Sequence, residues 1–300
     1  MGDEIIPNAQ YAAYFLRCKM QAADNVESMP PGHFYSAVPN WAQAQKDAHK
    51  VAATTSLPGV DLNTGCQLQL LEAFRKYSAE MPWKDGAANE RLRYSFANHS
   101  YSYSDGIFYY SMLREMKPGK IIEVGSGNST ALALDVNELF FGNGIQVSLV
   151  EPFPLIVKNL LHKGDLARLH LEAKNLQDVE RGFFQQLEAN DILFIDSTHV
   201  SKLGSDVNYL LHEILPLLSK GVIIHFHDIF YPFEYADHFI KRRRAWNENY
   251  ILHAFLQYNS AFEILFFNTY LEEKFPERVY AAFPLAAKNP GGSIWLRKIA

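Results

Sequence analysis

The sequence predicts an α/β fold in which helices cover both faces of a mostly parallel β-sheet. Three observations support this prediction. Residues 120–124 form an apolar run that leads into a glycine turn and then into a helical pattern. After that turn, short apolar runs alternate with helical stretches, which is typical of parallel strands connected by helices. Two late apolar runs then follow without a long helical pattern between them.

The apolar runs predict seven strands. The residues Asn-Pro-Gly-Gly at 289–292 are a turn signal directly before the last strand. Because no long helix separates the last two strands, we expect an antiparallel pair at one edge of the sheet rather than another parallel unit. The predicted strands are 120–124, 146–151, 168–173, 191–195, 221–227, 261–267 and 293–297.

The residues before the first strand predict helices. We therefore divide the chain into a helical N-terminal cap, residues 1–100, and an α/β domain, residues 101–300. The predicted helices are 8–24, 41–54, one from Asn63 or Thr64 to a point before Pro82, and one from Ser104 or Asp105 to Met116.

Composition and charge limit the functional classes. The 300 residues are 48% hydrophobic and 20% charged, as in an ordinary globular protein. The net charge of -5 gives no reason to expect nucleic acid as a partner. The basic run at 241–244 is short, and we interpret it as a solvated helix face, the alternative being contact with an anionic partner.

The expected compartment is the cytoplasm. Cys18 and Cys66 cannot build a disulfide framework, which fits a reducing environment. The first residues are acidic where a signal peptide needs basic ones, and no run of about 18 uncharged apolar residues predicts a membrane span. The apolar faces of the cap helices would suit a homodimer.

The glycine turn, residues 125–127, predicts a nucleotide-like ligand. Gly125 and Gly127 let the backbone turn tightly and approach a ligand, and Asn128 or Ser129 can cap the next helix so that its amides face that ligand. A dinucleotide-binding turn normally has a third glycine where this chain has Thr130. The turn alone therefore leaves the cofactor open.

Acidic residues follow the second and third strands. Glu151 lies about twenty residues beyond the glycine turn, where a carboxylate can accept hydrogen bonds from ribose hydroxyls. Asp178, beside Gln177, could accept a hydrogen bond from an adenine amine. The alternatives are a surface acid at position 151 and a helix cap at position 178.

Strands four and five end in further polar residues. Asp196 and His199 follow strand four, and Asp228 follows strand five. The carboxyl ends of neighbouring parallel strands share one crevice, so these side chains should face the ligand of the glycine turn. Two carboxylates could hold a divalent cation there, and the alternative is capping and hydrogen bonding to loop amides.

Histidines and aromatic residues complete the predicted site. His225 and His227 share one face of strand five. We expect His225 to be a hydrogen-bonded interior residue and His227 to reach the substrate. One wall of an acceptor pocket is predicted from the aromatic-rich connection that follows, which contains Tyr231, Pro232, Phe233, Tyr235 and Trp246.

The order of these motifs resembles the class I S-adenosylmethionine-dependent methyltransferases, within a largely uncharacterised bacterial branch. The resemblance spans about residues 58–300 and includes the segments 191–199, 225–228 and 289–297. It implies a Rossmann-like sheet of seven strands with the last strand antiparallel. It also implies contacts to the methionine end of the cofactor near Glu123 and Gly125, and Tyr103 and Asp105 are further candidates.

A looser similarity concerns the chemistry. Asp196, His199 and Asp228 resemble the pattern of metal-dependent macrolide sugar O-methyltransferases, in which aspartates bind Mg²⁺ and a histidine is the base. The hypothesis is methyl transfer to a small-molecule acceptor, most simply at a hydroxyl oxygen. The alternatives are a non-catalytic cofactor-binding or partner-binding protein and, less favoured, a nicotinamide-dependent oxidoreductase. The predicted cofactor-binding residues are Tyr103, Glu123, Gly125, Ser126, Gly127, Ser129, Thr130, Glu151, Gln177, Asp178 and Asp196; the predicted substrate-binding residues are His199, His227, Tyr231 and Trp246.

Overall fold

The computed structural model of the protein describes residues 9–21, 29–52, 56–86 and 89–300. Its centre is a seven-stranded sheet with the order β3-β2-β1-β4-β5-β7-β6. The strands are β1 (Lys120–Val124), β2 (Gln146–Val150), β3 (His170–Glu172), β4 (Ile192–Ile195), β5 (Ile223–Phe226), β6 (Phe262–Phe267) and β7 (Ile294–Lys298).

The pairing confirms the predicted fold class. Strands β1 to β5 pair in parallel, whereas β7 lies antiparallel between β5 and β6. The late pair therefore occupies one edge, with β6 outermost. Side chains on both faces of β4 and β5 are buried, which explains why these strands are continuously apolar in sequence.

Helices surround this sheet, and one predicted helix start is wrong. Residues 8 and 22–24 of the first predicted helix, and residues 53–54 of the second, lie outside the described residues. The helix before β1 begins at Tyr103, so neither Ser104 nor Asp105 caps it. The helices are α1 (Ala9–Met20), α2 (Trp41–Ala52), α3 (Thr64–Phe74), α4 (Tyr103–Met116), α5 (Asn128–Phe141), α6 (Leu155–Leu160), α7 (Asp206–Tyr209), α8 (Asp237–Lys241), α9 (Glu248–Leu256), α10 (Asn268–Lys274) and α11 (Pro276–Ala282).

The first polar side chains of α4 do not cap the helix because they have buried partners elsewhere. Ser104 Oγ donates to Glu272, and Asp105 Oδ1 accepts from the backbone N–H of Gly292 at 3.0 Å. Each bond joins α4 to a segment near the C-terminal strands. These two residues therefore stabilise tertiary packing rather than the helix end.

The buried core continues into the segment before residue 100. Phe74, Trp83, Tyr94 and Phe96 are buried with the sheet residues in one cluster. The division of the chain at residue 100 stays a prediction. Within the described residues, no helix is long and apolar enough to cross a membrane, and Cys18 and Cys66 are exposed free thiols.

A buried ion network holds this N-terminal segment to the sheet domain. Arg93 donates to Asp135 at 3.0 Å and to Asp165 at 2.7 Å, and all three side chains are at most 3% exposed. Removing one partner would leave buried charges unpaired.

We expect Arg93→Ala to lower the free energy of unfolding by about 3–5 kcal/mol. Arg75→Ala is the matched control, because Arg75 pairs with Glu72 on an exposed helix face and its loss should cost about 0–1 kcal/mol. Urea unfolding of both variants gives the comparison. Equal losses in the two variants would contradict this account of the network.

Candidate active site

The glycine turn connects β1 to α5 and requires glycine at its first position. Gly125 has φ +78°, and a Cβ there would lie 2.0 Å from the backbone oxygen of Asp196. The Gly125 N–H donates to the Val150 carbonyl at 3.0 Å, and the Asp196 N–H donates to the Val124 carbonyl at 2.8 Å. The turn is therefore held between the ends of β2 and β4.

The helix after the turn is capped by a different residue from those predicted. Gly127, not Asn128 or Ser129, is the N-cap, and its N–H donates to Thr130 Oγ1 at 3.1 Å. The Ser129 and Thr130 hydroxyls instead donate to the two carboxylate oxygens of Glu123. The reason is that Glu123 is completely buried beneath the turn and needs donors. Thr130, at the position where a dinucleotide-binding turn has glycine, therefore stabilises the turn through its hydroxyl.

Burial controls the protonation of Glu123. Removal from water raises its pKa to about 8, although the two hydroxyl donors act in the opposite direction. Both carboxylate oxygens already have protein partners. Glu123 therefore helps to hold the turn in place, and its contact with the cofactor stays a prediction.

Glu151 lies where the sequence predicts a ribose-binding carboxylate. It accepts from the Ser126 N–H at 3.1 Å and from the Phe153 N–H at 2.7 Å, and burial raises its pKa. Each carboxylate oxygen has a second lone pair for a ligand. Beside it, the Ser126 hydroxyl is buried and has no hydrogen-bond partner among the described residues.

The remaining predicted cofactor residues lie around the same edge of the sheet. Gln177 and Asp178 are exposed after β3, where Gln177 donates to the Gly204 carbonyl at 2.7 Å and Asp178 accepts from Asn175 at 3.1 Å. The Tyr103 hydroxyl donates to Asp85 at 3.0 Å. Contacts of these three residues with the cofactor stay predictions.

Asp196, His199, His227 and Asp228 form a carboxylate–histidine cluster at the ends of β4 and β5, as the sequence predicts for three of them. His199 Nε2 lies 3.3 Å from Asp196 Oδ1 and 3.7 Å from Asp228 Oδ2. His227 Nδ1 lies 3.4 Å and 3.8 Å from the same two oxygens. The two imidazoles therefore face the same two carboxylates.

Each imidazole has a second buried carboxylate behind it. Glu248, at the start of α9, accepts a hydrogen bond from His199 Nδ1 at 2.8 Å and is 1% exposed. Asp105 Oδ2 lies 3.5 Å from His227 Nε2. Glu248 was not predicted from the sequence, because no local motif marks a glutamate that reaches this cluster from another element.

These carboxylates raise the pKa of each histidine by more than burial lowers it. Burial alone would lower the pKa of His199, but Asp196 and Glu248 raise it to about 10. Burial likewise opposes a charged His227, yet Asp228 and Asp196 hold its pKa well above the ordinary value. Burial alone would raise the pKa of Asp196, but the nearby His227 and His199 lower it well below its usual range. The carboxylates thus favour the charged form of both imidazoles.

The cluster does not fit a Mg²⁺ ion. Mg²⁺ prefers an octahedral shell of oxygen ligands. Here the two carboxylate oxygens face two imidazole nitrogens rather than further oxygen ligands. In the described part of the chain, no group of three or more His, Cys, Asp or Glu side chains could hold a metal ion.

His225 is the interior residue that the sequence predicts. It is completely buried in β5, and its Nε2 bonds with the Tyr101 hydroxyl at 3.3 Å and with Ser293 Oγ at 3.0 Å. Its ring stacks on Phe194 with centroids 3.9 Å apart. His225 therefore belongs to the core.

An aromatic cavity of about 690 Å³ lies beside the cluster. Tyr231 and Trp246 line it, as predicted, and the Trp246 ring lies 4.3 Å from the His199 ring. Phe233 does not line it, because its side chain is buried and stacks on His253 at 4.9 Å. His227 is also absent from the lining residues and lies on the Asp105 side of the cluster.

Similarity to known proteins is concentrated in the segment that carries this site. A family model described as a methyltransferase domain matches residues 122–229, which run from β1 to just beyond β5. A protein from Archaeoglobus fulgidus, named as uncharacterized, is 32% identical over 169 residues, which cover 54% of this chain and 75% of that protein.

Solved structures show more distant similarity. The methyltransferase PaMTH1 of Podospora anserina, bound to S-adenosylhomocysteine, has a TM-score of 0.43 and 14% identity over 92% of this chain and 100% of that chain. The O-methyltransferase TomG of Streptomyces achromogenes, in complex with S-adenosylmethionine, has a TM-score of 0.43 and 12% identity over 85% of this chain and 96% of that chain. Similarity at this level carries no information about the acceptor.

The family follows from the matched segment and its sheet. Residues 122–229 include the glycine turn, Glu151 and the two strand ends that carry Asp196 and Asp228. The seven strands have the mixed arrangement in which only the last strand in sequence is antiparallel. The chain therefore belongs to the class I S-adenosylmethionine-dependent methyltransferases.

Proposed function

We propose that this methyltransferase acts on a hydroxyl oxygen of a small-molecule acceptor, with His199 as the general base. The observation that carries the proposal is the pair formed by His199 and Glu248. Glu248 holds Nδ1 at 2.8 Å, and Nε2 faces the ends of β4 and β5, beside the aromatic cavity. A histidine held in this way presents its other nitrogen for proton transfer.

The donor would lie along the edge of the sheet between the glycine turn and Glu151. In this proposal the Ser126 hydroxyl, which has no hydrogen-bond partner among the described residues, bonds to the donor, and Glu151 accepts from its ribose hydroxyls. Gln177 and Asp178 would contact the adenine, and Tyr103 the amino-acid end. Glu123, Ser129 and Thr130 would act indirectly by fixing the turn.

The proposed reaction is a direct displacement. S-adenosylmethionine supplies a methyl group on a positive sulfur, and the acceptor oxygen must lie in line with the carbon–sulfur bond. As the oxygen–carbon bond forms and the carbon–sulfur bond breaks, the hydroxyl proton passes to His199 Nε2. S-adenosylhomocysteine and the methyl ether leave, and the proton is then lost to water.

The proton on His199 predicts a pH dependence. A base must be unprotonated to act, and the pKa of His199 in the free protein is raised to about 10, so kcat/KM should increase with pH above 7. Glu248→Gln removes one carboxylate that raises this pKa and should shift the profile to lower pH. The ionisation of the acceptor hydroxyl is the same with both proteins, so only the enzyme can produce the shift. Superimposable profiles would contradict the role of His199.

Chelation tests whether turnover requires a metal ion. The donor atoms of the cluster do not suit Mg²⁺, so we expect dialysis against EDTA to leave turnover within about twofold of the untreated enzyme. Loss of activity with EDTA and its return with added MgCl₂ would show that the enzyme requires the ion and would contradict this expectation. Calorimetric titration with MgCl₂ gives an independent reading without turnover.

The reaction itself is tested with methyl-labelled donor and a panel of hydroxylated small molecules. We expect equal amounts of S-adenosylhomocysteine and labelled methyl ether from at least one acceptor. A product labelled at nitrogen would contradict methylation at oxygen. Tight donor binding without turnover of any acceptor would instead favour the non-catalytic alternative.

A further inference from the structure

The aromatic cavity beside the cluster has a lining that specifies a class of acceptor. Its volume of about 690 Å³ suits a ligand of one to three rings. Two separate segments form most of it, residues 37–48 and residues 230–250. The aromatic residues that line it are Trp41, Phe230, Tyr231, Tyr235, Phe239, Trp246 and Tyr250.

Trp246 and Asn247 link the cavity to the proposed base. The Trp246 ring packs against the His199 ring with centroids 4.3 Å apart, and the Asn247 N–H donates to the His199 carbonyl at 3.1 Å. Both Trp246 and Asn247 line the cavity. His199 itself does not line the cavity, so the cavity meets the proposed base through these two residues.

The N-terminal wall comes from one face of α2. Trp41, Ala44 and Ala48 line the cavity at the spacing i, i+3, i+7, which places them on the same side of a helix. The two small side chains leave the space open, and the indole supplies the aromatic surface. This helix packs against α8 and lies outside residues 122–229, the part of the chain that matches the family model.

We propose that the acceptor is a planar aromatic molecule that carries the hydroxyl group, and that α2 selects it through Trp41. The assignment of the cavity as the acceptor site rests on the function proposed above. Flat rings gain from offset and edge-to-face contacts with aromatic side chains beyond the area they bury, whereas a saturated ring of equal size does not. An aromatic hydroxyl also loses its proton more readily than an alcohol.

The test compares two hydroxyl compounds with the same bicyclic carbon skeleton, one aromatic and one saturated. Isothermal titration of the full chain, with and without saturating S-adenosylhomocysteine, uses 2-naphthol and trans-decahydro-2-naphthol. We expect 2-naphthol to bind at least about tenfold more tightly. Equal affinities, or tighter binding of the saturated alcohol, would overturn the proposal. 2-Naphthol is also titrated in the absence of S-adenosylhomocysteine, so its affinity tests the acceptor class by itself. A failure to bind S-adenosylhomocysteine would contradict the proposed function instead.

Variants of α2 test whether this helix selects the acceptor. Trp41→Leu should weaken 2-naphthol about tenfold and leave the affinity for S-adenosylhomocysteine unchanged. Phe34→Leu is the control, since Phe34 is an aromatic residue shortly before this segment that is 81% exposed and does not line the cavity. Ala44→Phe, which fills the cavity from the same helix face, should also exclude 2-naphthol. Unchanged naphthol affinity in both Trp41→Leu and Ala44→Phe would overturn the role of α2.

Discussion

Gly125→Asp is expected to weaken S-adenosylmethionine binding by at least about a hundredfold. Gly125 has φ +78°, which strains any other residue, and its Cβ would lie 2.0 Å from the Asp196 backbone oxygen. The glycine turn must therefore move away from β4, and the backbone that approaches the donor moves with it. Isothermal titration with the donor measures the loss.

Gly142→Asp is the matched control for this substitution. Gly142 also has a positive φ, +57°, but a Cβ added there would have no atom within 4 Å, and this residue ends α5 at the opposite end from the turn. The control should bind the donor normally at a similar cost in backbone strain. Donor binding by Gly125→Asp within about threefold of the unchanged protein would contradict the assignment of the turn.

His199→Asn is expected to reduce turnover by about 10²–10⁴-fold while leaving the donor affinity within about threefold. The asparagine amide can still donate to Glu248, so the buried carboxylate keeps a partner, but no nitrogen remains to take the proton. Turnover with the labelled donor and calorimetry with S-adenosylhomocysteine separate the two effects.

His212→Asn is the control for the second substitution. His212 is exposed on the helical segment after α7, away from the cluster, and its replacement should change neither quantity. Turnover of His199→Asn within about tenfold of the unchanged enzyme would assign proton removal to another group or to water.

The fold could be predicted because its signals are local. Buried parallel strands need apolar side chains on both faces, so residues 192–195 and 223–226 are visible in the sequence as apolar runs. The helix starts were less predictable, since Ser104 and Ser129 have the residue type of a cap but bond to Glu272 and Glu123. A buried carboxylate that needs a donor competes for the same hydroxyl, and the sequence does not show which partner prevails.

The site was predictable to the extent that strand order determines it. Asp196 and Asp228 follow neighbouring strands, so their meeting follows from the parallel sheet. Glu248 is 49 residues from His199 and reaches it from α9, after an irregular connection whose path has no sequence signature. Without Glu248, the raised pKa of His199 could not be anticipated. The looser family similarity indicated a histidine base beside a metal ion, with helix capping and loop hydrogen bonds as the alternative for the two aspartates.

The N-terminal wall of the cavity was not predictable either. Trp41 lies in a helix that precedes the region of family resemblance, and the packing of that helix against α8 depends on the shapes of side chains far apart in the chain. The connection after β5 was recognisable as aromatic, yet Phe233 turns into the core while its neighbours line the cavity. Residue type alone does not separate these two orientations.

The most direct test of the account is a calorimetric titration of the unmodified protein with S-adenosylmethionine. The turn around Gly125, the carboxylate of Glu151 and the Ser126 hydroxyl, unpaired among the described residues, together predict one saturable site per chain, with S-adenosylhomocysteine competing for it. A protein that is folded by circular dichroism and gives neither binding heat nor a thermal shift with either ligand would contradict the account.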